Sequence, residues 1–285
     1  MPLSIIVTHH QTPAILKLCL KTIEKSCQGI KYETILVDSE SEAETREIIK
    51  DKFPGTIIIP FKKNVGYAKL VNAGIKKAKG RFILILNADI LPKKDSVGIL
   101  LDFLQKNSEV GIVGPQLLNF DGTPQFSTFR YYTPWTIICR RTFLGKTKWG
   151  KKEVNRFLLK SKIQHPISNI QNGIEVDWLM GSALMVKMEA IKKVGLLDER
   201  FFMYFEDVDW ARRFWENGYK VVCFQKAQMY HYHYKSSDKG RGALDLFFNK
   251  QARVHLESAL KYFWKYRHKK IKIQSSNVKP NPKSK

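Results

Sequence analysis

The chain has 285 residues, of which 44% are hydrophobic and 26% charged, and its formal net charge is +23. This length and apolar content suit one large domain with a buried core and exclude a largely disordered chain. No apolar run has the length of a membrane-spanning helix, and the N-terminus lacks the basic start and cleavage site of a signal peptide. The four cysteines are scattered without a CxxC pair, which favours buried reduced thiols over disulfides or a zinc site.

The positive charge is spread over the chain and also concentrated at its C-terminus. Residues 261–285 hold nine Lys or Arg and no acidic residue. Nucleic acid, an anionic membrane surface and phosphorylated substrates all suit such a charge, and a soluble Lys-rich surface without a specific partner is the alternative. The stretch "ALKYFWKYRHKK" is typical either of an interfacial helix near anionic lipid or of a helix that packs on the domain.

Strands and helices alternate through the first part of the chain. The strand "LSIIVTHH" precedes a helix that Thr12 is expected to cap, and the second strand ends at Asp38. Ser41 and Glu44 predict a capping box at the start of the second helix, and a third helix is expected to end at Gly80. Short connections between apolar strands and helices predict an α/β fold, with a Rossmann-like, mostly parallel sheet flanked by helices.

The pattern is less regular after the fourth strand, "RFILILN". A helix and a strand are expected at "SVGILLDFLQKN" and "VGIVGPQLL", and residues 120–175 are loop-rich, aromatic and basic, without a predicted order. A strand followed by a helix is expected at 176–195, and "FEDVDWARRFWENG" predicts a helix with acidic residues in its first turn. The stretch "YKVVCFQKAQMYHYHY" predicts a strand pair, or a strand and a loop.

Polar residues stand at the ends of three of these strands: residues 8–10, 38–39 and 87–89. Ligands of such sheets bind beyond the carboxyl ends of the strands, so all three are expected to open onto one crevice. Asp38 could accept an N–H from a pyrimidine ring or a hydroxyl from a ribose, or could be an ordinary turn acid. The first turn, "HHQTPA", has no glycine, which counts against a dinucleotide site for NAD or FAD.

Three acidic positions are candidates for metal binding and catalysis. Asp89 ends the fourth strand, where a carboxylate could hold a divalent cation that bridges diphosphate oxygens, or could simply form a turn. Glu206 and Asp207 follow the aromatic run "FFMYF", which could shelter a catalytic base, although acids in a first turn also complement the helix dipole. His231 and His233 share one face of a strand, so that either could complete a metal site with Asp89.

Six blocks of the sequence, taken together and in order, resemble family 2 glycosyltransferases, with the rhamnosyltransferase-like branch most similar. The blocks are "SIIVTHHQTPAILKLCLKTI", "ILVDSES", "NVGYAKLVNAGI", "LILNADI", "VDWLMGSALMVK" and "GLLDERFFMYFEDVDWARRFWENGYKV". The resemblance covers residues 3–235. It implies a GT-A fold, a nucleotide-sugar donor, a divalent metal (Mn²⁺ or Mg²⁺) and inversion at the anomeric carbon.

The resemblance also implies roles for single residues. It makes Asp207 the general base, with Glu206 beside it, and makes Asp89 and His231 the metal ligands. The positions implied for the nucleotide sugar are Thr8, His10, Asp38, Ser39, Asn64, Gly66, Asn72, Asn87 and Ala88, and those on the acceptor side are Trp178 and Gly181.

This chain departs from the family pattern at three places. Asn87 replaces the first Asp of a full DXD motif, Ser39 stands where Asn is frequent, and the second histidine, His233, leaves the identity of the metal ligand open. The resemblance implies a domain at 1–240, with a nucleotide-binding half at 1–92 and an acceptor and catalytic half at 93–240. A helical extension at 241–270 and a disordered basic tail at 271–285 would follow.

The expected activity is inverting transfer of a sugar, with rhamnose as the first candidate, from a dTDP- or UDP-sugar. The expected acceptor is a hydroxyl of a cell-surface glycan or a lipid-linked molecule, and the expected place is the cytoplasm or the inner face of the cell membrane. No specific nucleic acid is expected as a partner. The alternatives are an inactive transferase-like scaffold and a basic nucleic-acid-binding protein, whereas a nucleotidyltransferase would need a Gly-rich basic loop after the first strand.

Overall fold

A nine-stranded sheet forms the centre of the molecule. The computed structural model describes residues 2–159, 173–232 and 249–268. Eight strands follow one another in the order β3-β2-β1-β4-β10-β6-β11-β5, and β8 pairs with β11. The strands of this sheet are β1 (Leu3–His10), β2 (Tyr32–Ser39), β3 (Ile57–Phe61), β4 (Phe82–Asn87), β5 (Ile90–Pro92), β6 (Val110–Leu118), β8 (Ile174–Glu175), β10 (Ala183–Lys187) and β11 (Lys220–His231).

Helices cover the sheet, and two short strands form a separate antiparallel pair beside it. The helices are α1 (Pro13–Ser26), α2 (Ala43–Lys52), α3 (Tyr67–Lys77), α4 (Ser96–Lys106), α5 (Pro134–Arg141), α6 (Lys148–Phe157), α7 (Met188–Val194), α8 (Glu206–Glu216) and α9 (Lys250–Lys265), with a 3₁₀ helix at Phe143–Lys146. The separate pair is β7 (Thr128–Phe129) with β9 (Trp178–Leu179). No helix in the described part of the chain combines the length and the hydropathy that crossing a bilayer requires.

The strand directions confirm the α/β fold with a mostly parallel sheet. The strands β3, β2, β1 and β4 run in parallel, and β11 runs parallel to β6, whereas β10 joins β4 to β6 in the antiparallel direction. Alternate residues of β1 enter different cores: Ile6 packs into the cluster on one face, and Ile5 and Val7 into the cluster on the other. The strand reads as a continuous apolar run because both of its faces are covered.

The predicted helix boundaries are less accurate than the predicted helices. Thr12 precedes α1, but its side chain makes no capping hydrogen bond. The capping box at Ser41 and Glu44 is wrong, because α2 begins at Ala43 after Glu42 and no side chain caps it. Helix α3 ends at Lys77 rather than at Gly80.

The later part of the chain contains more regular structure than the sequence predicted. Residues 134–157 form α5, the 3₁₀ helix and α6. Residues 220–231 form one strand with two register shifts against β6, so the strand pair is wrong and the single strand of the other alternative is present. Helix α9 buries Ala252, Ser258, Ala259 and Tyr262 against the domain, as the packed-helix alternative requires. The predicted basic tail at 271–285 and His233 lie outside the described residues.

Candidate functional site

The three polar strand ends lie side by side, as expected. In the sheet register, His10 of β1 pairs with Ser39 of β2, and Thr8 of β1 pairs with Asn87 of β4. The Thr8 hydroxyl donates to Asn87 Oδ1 at 2.9 Å, and the Ala88 N–H donates to the Thr8 carbonyl at 2.9 Å. These bonds fix the turn that leads from β4 to Asp89.

Asp38 is held by a neighbour that the sequence did not single out. Its Oδ1 lies 2.7 Å from His9 Nδ1, and both side chains are buried. The backbone N–H of Thr12 donates to His9 Nε2 at 2.9 Å, so that Nε2 is the acceptor and Nδ1 carries the proton given to Asp38. Among the described residues, nothing bonds to the buried Oδ2 of Asp38, which leaves this oxygen as an acceptor for a ligand N–H.

The adjacent residues of β1 and β2 differ in their exposure. His10 is exposed, and its Nε2 lies 2.5 Å from a carboxylate oxygen of Glu40. Ser39 is buried, and its hydroxyl has no partner among the described residues. Glu40 itself has a left-handed backbone conformation, with φ at 53°. The turn after β2 therefore places a His–Glu pair at the surface and a buried hydroxyl below it.

Asp89 lies beside His231, and Gln125 fixes the orientation of that imidazole. His231 Nε2 is 3.7 Å from Asp89 Oδ2, and His231 Nδ1 is 2.9 Å from Gln125 Oε1. Gln125 Nε2 donates to the Asn119 side chain and to the His231 carbonyl, which identifies Oε1 as the acceptor. His231 Nδ1 therefore carries a proton, and Nε2 faces the carboxylate.

This pair fits a divalent metal. Burial raises the pKa of Asp89 to about 6, and among the described residues its buried Oδ1 has no hydrogen-bond partner. A carboxylate oxygen and an imidazole nitrogen on one side suit Mn²⁺ or Mg²⁺, with diphosphate and water completing the coordination. No cluster of three or more His, Cys, Asp or Glu occurs in the described ranges, so a metal here would need oxygens from a ligand.

Glu206 and Asp207 form a buried pair at the start of α8. Burial raises the pKa of both carboxyls, and for Glu206 the charge of Asp207 raises the pKa further. Asp207 Oδ2 accepts from the Gly181 N–H at 3.0 Å, and Oδ1 accepts from the Val208 N–H at 2.9 Å. Glu206 Oε2 is buried and has no partner among the described residues. The two acids therefore differ: backbone N–H groups orient the carboxylate of Asp207, whereas the carboxyl of Glu206 favours its neutral form.

Tyr67 is linked to Asp207 through Gly181. Its hydroxyl donates to the Gly181 carbonyl at 2.5 Å, so that Gly181 binds Tyr67 and Asp207 through its two backbone groups. Burial raises the pKa of Tyr67 well above its usual range, followed by the charges of Glu206, Asp207 and Asp89. The phenol of Tyr67 therefore stays neutral and acts as a hydrogen-bond donor to Gly181.

The start of α3 is locked against the segment that precedes α8. Gly66 has φ at 85°, and a Cβ at this position would collide with the carbonyl oxygen of Phe202. Asn64 Oδ1 accepts from the Gly66 N–H at 3.0 Å, and the Tyr67 N–H donates to the Phe202 carbonyl at 2.8 Å. Asn64 and Gly66 therefore shape the turn that positions Tyr67.

Two of the predicted site residues make structural contacts. Asn72 is buried, and its amide bonds both backbone groups of Leu197 and the side chain of Glu199. Trp178 is buried, donates to the Arg130 carbonyl and stacks on Phe129 at 4.4 Å. Their predicted roles in binding donor and acceptor stay predictions.

Sequence reasoning missed three residues that organise the site: His9, Tyr67 and Gln125. The alternation of β1 put His9 between two predicted site residues, but only the Thr12 N–H and Asp38 contacts show its function. Tyr67 and Gln125 are distant in sequence from the residues that they bind, at separations of 114 residues to Gly181 and 106 residues to His231. Local patterns hold no signal for such contacts.

The sequence is similar to glycosyltransferases. A family model described as "Glycosyl transferase family 2" matches residues 4–193. An N-acetylglucosaminyl-diphospho-decaprenol L-rhamnosyltransferase of Mycobacterium tuberculosis is 25% identical over 218 residues, which cover 73% of this chain and 68% of that protein. Rhamnosyltransferase WbbL of Escherichia coli is 28% identical over 188 residues, covering 66% of this chain and 63% of that protein.

Solved structures share the fold. A structure of GalNAc-T7 with UDP, GalNAc and Mn²⁺ aligns with a TM-score of 0.60 at 15% identity, over 81% of this chain and 44% of that chain. A mannosyltransferase from Pyrobaculum calidifontis, in complex with GDP-Man and Mn²⁺, aligns with a TM-score of 0.55 at 16% identity, over 91% of this chain and 64% of that chain. This chain spans less than two thirds of either of those chains. At identities this low, the similarity shows a common fold and nothing more.

Proposed function

Because this chain belongs to glycosyl transferase family 2 and has the GT-A α/β fold, we propose that it transfers a sugar from a nucleoside diphosphate to an acceptor hydroxyl with inversion. The buried Glu206–Asp207 pair carries this proposal. A carboxylate with a raised pKa, oriented by two backbone N–H groups, is suited to act as a general base.

In the proposed reaction, Asp207 accepts the proton of the acceptor hydroxyl as its oxygen attacks C1 of the donor sugar. The bond from C1 to the diphosphate oxygen breaks as the new glycosidic bond forms, which inverts the anomeric centre. Gly181 holds Asp207 in place through its N–H, and Tyr67 holds Gly181. The neighbouring Glu206 stays protonated, which avoids two adjacent buried charges.

The donor lies, in this proposal, between Asp38 and Asp89. Asp38 Oδ2 accepts an N–H of the nucleobase, and His9 keeps the carboxylate in that orientation. Asp89 and His231 would hold a divalent metal, which supplies neutralisation of the negative charge on the leaving diphosphate. The Mn²⁺ in the two structural neighbours supports this assignment of the metal.

The names of the relatives support the choice of substrates. Two of them are rhamnosyltransferases, and the name of one includes a diphospho-decaprenol acceptor. We therefore propose dTDP-rhamnose as the first donor to test, a UDP-sugar as the second, and a glycan or lipid-linked hydroxyl as the acceptor. If the acceptor is lipid-linked, we expect the enzyme to act in the cytoplasm, at the inner face of the membrane.

Calorimetric titration with dTDP, UDP and GDP, each with and without Mn²⁺, tests the donor site. We expect one pyrimidine diphosphate to bind, and to bind more tightly with the metal. Asp89→Ala should remove the gain that Mn²⁺ gives and leave metal-free binding unchanged. An equal loss with and without metal would contradict the metal role, and no binding by the folded chain would favour an inactive scaffold.

Asp207→Asn tests the base. We expect a fall in kcat of about 10²–10⁴-fold, the contribution of general-base catalysis, with donor binding unchanged. Asp102→Asn is the matched control, because Asp102 lies exposed on α4. A parallel loss of donor binding and of rate in Asp207→Asn would show that this carboxylate supports the structure rather than the proton transfer.

A further inference from the structure

The segment of residues 134–157, called here the helical excursion, presents large apolar side chains to solvent. It consists of α5, the 3₁₀ helix and α6. Phe143 is 76% exposed and Trp149 is 81% exposed, which makes them the two most exposed large apolar side chains in the described part of the chain. Trp135 and Ile138, three positions apart on α5, are also exposed. Several exposed apolar side chains on one short segment are typical of an interaction surface.

The helical excursion is a fixed scaffold. Thr133 caps α5 through a reciprocal pair of hydrogen bonds with Thr136, and both hydroxyls donate to Glu153 of α6. Arg156 donates to Glu153 and also to the Tyr131 carbonyl, which ties α6 back to the domain. The exposed rings are therefore held outward by a bonded framework and do not belong to an unstructured loop.

Two glycines allow the three short helices to pack closely. A Cβ on Gly145 would collide with the carbonyl oxygen of Cys139, and a Cβ on Gly150 would collide with the carbonyl oxygen of Leu144. Phe143 and Trp149, near these glycines in the sequence, remain largely exposed. The sequence thus maintains a compact unit whose largest apolar side chains face solvent.

The helical excursion is also strongly basic. Glu153 is the acidic residue of the helical excursion, and Arg156 pairs with it at 2.7 Å. Six further cations remain: Arg140, Arg141, Lys146, Lys148, Lys151 and Lys152. Five of them are exposed and Arg141 is half-buried. Anionic phosphates complement such a surface, whereas a second copy of the same surface would repel it.

We propose that the helical excursion docks on an anionic lipid surface, with Phe143 and Trp149 entering the headgroup region and the surrounding Lys and Arg contacting lipid phosphates. Tryptophan and phenylalanine flanked by Lys and Arg are typical of side chains that bind at the membrane interface. Basic residues near an anionic surface each strengthen binding further. The chemistry of the surface therefore matches lipid in both its apolar and its charged components.

The position of the helical excursion relates this docking to catalysis. The chain leaves the domain after β7 and returns at the end of α6, where the Arg130 N–H donates to the Phe157 carbonyl. β7 pairs with β9, which leads directly into Gly181, and Tyr132 packs against Phe205 with ring centroids 4.7 Å apart. Docking would bring the base at Asp207 near a lipid-linked acceptor. This benefit rests on the proposed function, whereas the binding itself does not.

Flotation of the full chain with vesicles tests the proposal. The probes are vesicles of phosphatidylcholine alone and vesicles that also contain phosphatidylglycerol. We expect flotation with the anionic vesicles, weakened by salt and by removal of phosphatidylglycerol. The variant Phe143→Ala/Trp149→Ala should lower the partition coefficient about tenfold or more, because it removes two apolar anchors.

A matched control separates this surface from the C-terminal helix. Trp264 of α9 is 65% exposed and lies beside the Arg267 guanidinium at 4.2 Å, so that it is also an exposed Trp next to a cation. Trp264→Ala should leave flotation unchanged. If Trp264→Ala abolishes flotation and the double variant does not, the lipid-binding element is α9 and the proposal is wrong.

A second pair of variants tests the charge without touching the apolar side chains. Lys148→Gln/Lys151→Gln/Lys152→Gln should weaken binding to anionic vesicles by about fivefold for each lysine. Lys76→Gln/Lys77→Gln/Lys79→Gln, at the exposed end of α3 and just after it, changes the net charge equally and should have a smaller effect. Equal losses in the two variants would indicate a response to net charge alone and would overturn the assignment.

The remaining outcomes are also decisive. Failure of the unmodified chain to float would overturn the proposal, as would a double variant that floats normally but changes its oligomeric state or loses RNA binding. Calorimetry with nucleoside diphosphates, done without vesicles, keeps the two proposals distinct. Flotation without donor binding would support the docking surface and contradict the proposed function. Donor binding without flotation would support the proposed function and contradict the docking surface.

Discussion

Burial determines the chemistry of the acidic residues in the candidate site. The carboxyls of Asp89, Glu206 and Asp207 all have raised pKa values, and burial is the largest cause for each. Only Asp207 is compensated by two backbone N–H groups, from Gly181 and Val208. The difference in hydrogen bonding, rather than in residue type, favours Asp207 as the ionised member of the pair and Glu206 as the neutral one.

Glu206 should make the stability of the protein depend on pH. Its pKa is raised in the folded state, so the unfolded chain loses this proton first as the pH rises above the ordinary range of a glutamate. The free energy of unfolding then falls until the pH reaches the folded-state pKa. Glu206→Gln removes this cost, and we expect a stability gain of about 1–3 kcal/mol at pH 8 that vanishes near pH 4.

Thermal unfolding at several pH values measures this effect, as a Tm increase of about 2–4 °C for each kcal/mol in a chain of this size. Glu47→Gln is the control, since Glu47 lies exposed on α2 and should show no pH-dependent difference. A gain of the same size at pH 4 and pH 8 would show that the substitution acts through packing and not through a buried charge.

At the scale of single elements, the start of α3 is the most constrained part of the site. Gly66 combines a left-handed backbone conformation with contact against the Phe202 carbonyl, so neither a side chain nor a shift of the turn is available. The same turn positions Tyr67, which holds Gly181 and, through it, Asp207. An element boundary that appears as a loop in the sequence therefore positions Asp207, the proposed base.

Gly66→Ala should destabilise the protein by about 2–4 kcal/mol, because a backbone strain of about 1–3 kcal/mol adds to a collision with backbone atoms. Gly122→Ala is the matched control: its φ is 83°, close to the 85° of Gly66, but no atom lies within 4 Å of the added Cβ. Its cost should be the backbone term alone. Urea unfolding of both variants measures the difference, and equal costs would show that contact with Phe202 is unimportant.

At the scale of the whole molecule, α9 and the residue after it bind helix α8. Asp209 of α8 is fully buried and accepts from Arg213 on its own helix, from Lys265 at 2.5 Å and from Tyr266 at 2.8 Å. Ser258 of α9 also donates to the Met203 carbonyl, in the segment before α8. Helix α9 is therefore joined to α8 and to the segment before it by buried polar bonds as well as by apolar packing.

Lys265→Met removes the bonds of Lys265 to Asp209 and to Asp198, and should lower the free energy of unfolding by about 1.5–3 kcal/mol, the range for hydrogen bonds to charged groups. Lys261→Met removes a largely exposed ion pair with Glu257 and a bond to the Arg200 carbonyl, and should cost less than about 1 kcal/mol. Urea unfolding measures both. Equal small losses would show that the two carboxylate bonds of Lys265 add little to the docking of α9.

Periodicity predicted the order of the main strands and helices, and six sequence blocks predicted the family, which is confirmed. Both predictions rest on local information, because a strand that is buried on both faces is a continuous apolar run in the sequence. The predicted capping box of α2 is wrong because Ser41 and Glu44 match a local motif, whereas the chain after β2 places Glu42 at the N-cap position. The antiparallel pairing of β5 with β11 depends on contacts far apart in sequence, and no local pattern encodes it.

The candidate site was predictable to the extent that its residues end strands or open a helix. Asp38, Asp89 and Asp207 lie at or next to such positions, and the sheet order brings the ends of β1, β2 and β4 together. The contacts that orient them were not predictable, because His9, Gln125 and Tyr67 act through tertiary hydrogen bonds. Sequence patterns indicate the acidic residues. The fold determines which of their oxygens are already hydrogen-bonded and which can accept a bond from a ligand.

The position of β10 has a consequence for biosynthesis. This strand fills the centre of the sheet between β4 and β6, yet it lies about 100 residues after β4 in the chain. At about 5–20 residues per second, a ribosome exposes the apolar edge of β4 for about 5–20 s before its partner is made. The nascent chain must keep that edge from pairing with other strands during this interval, and the speed of translation through residues 88–187 thereby sets its exposure to aggregation.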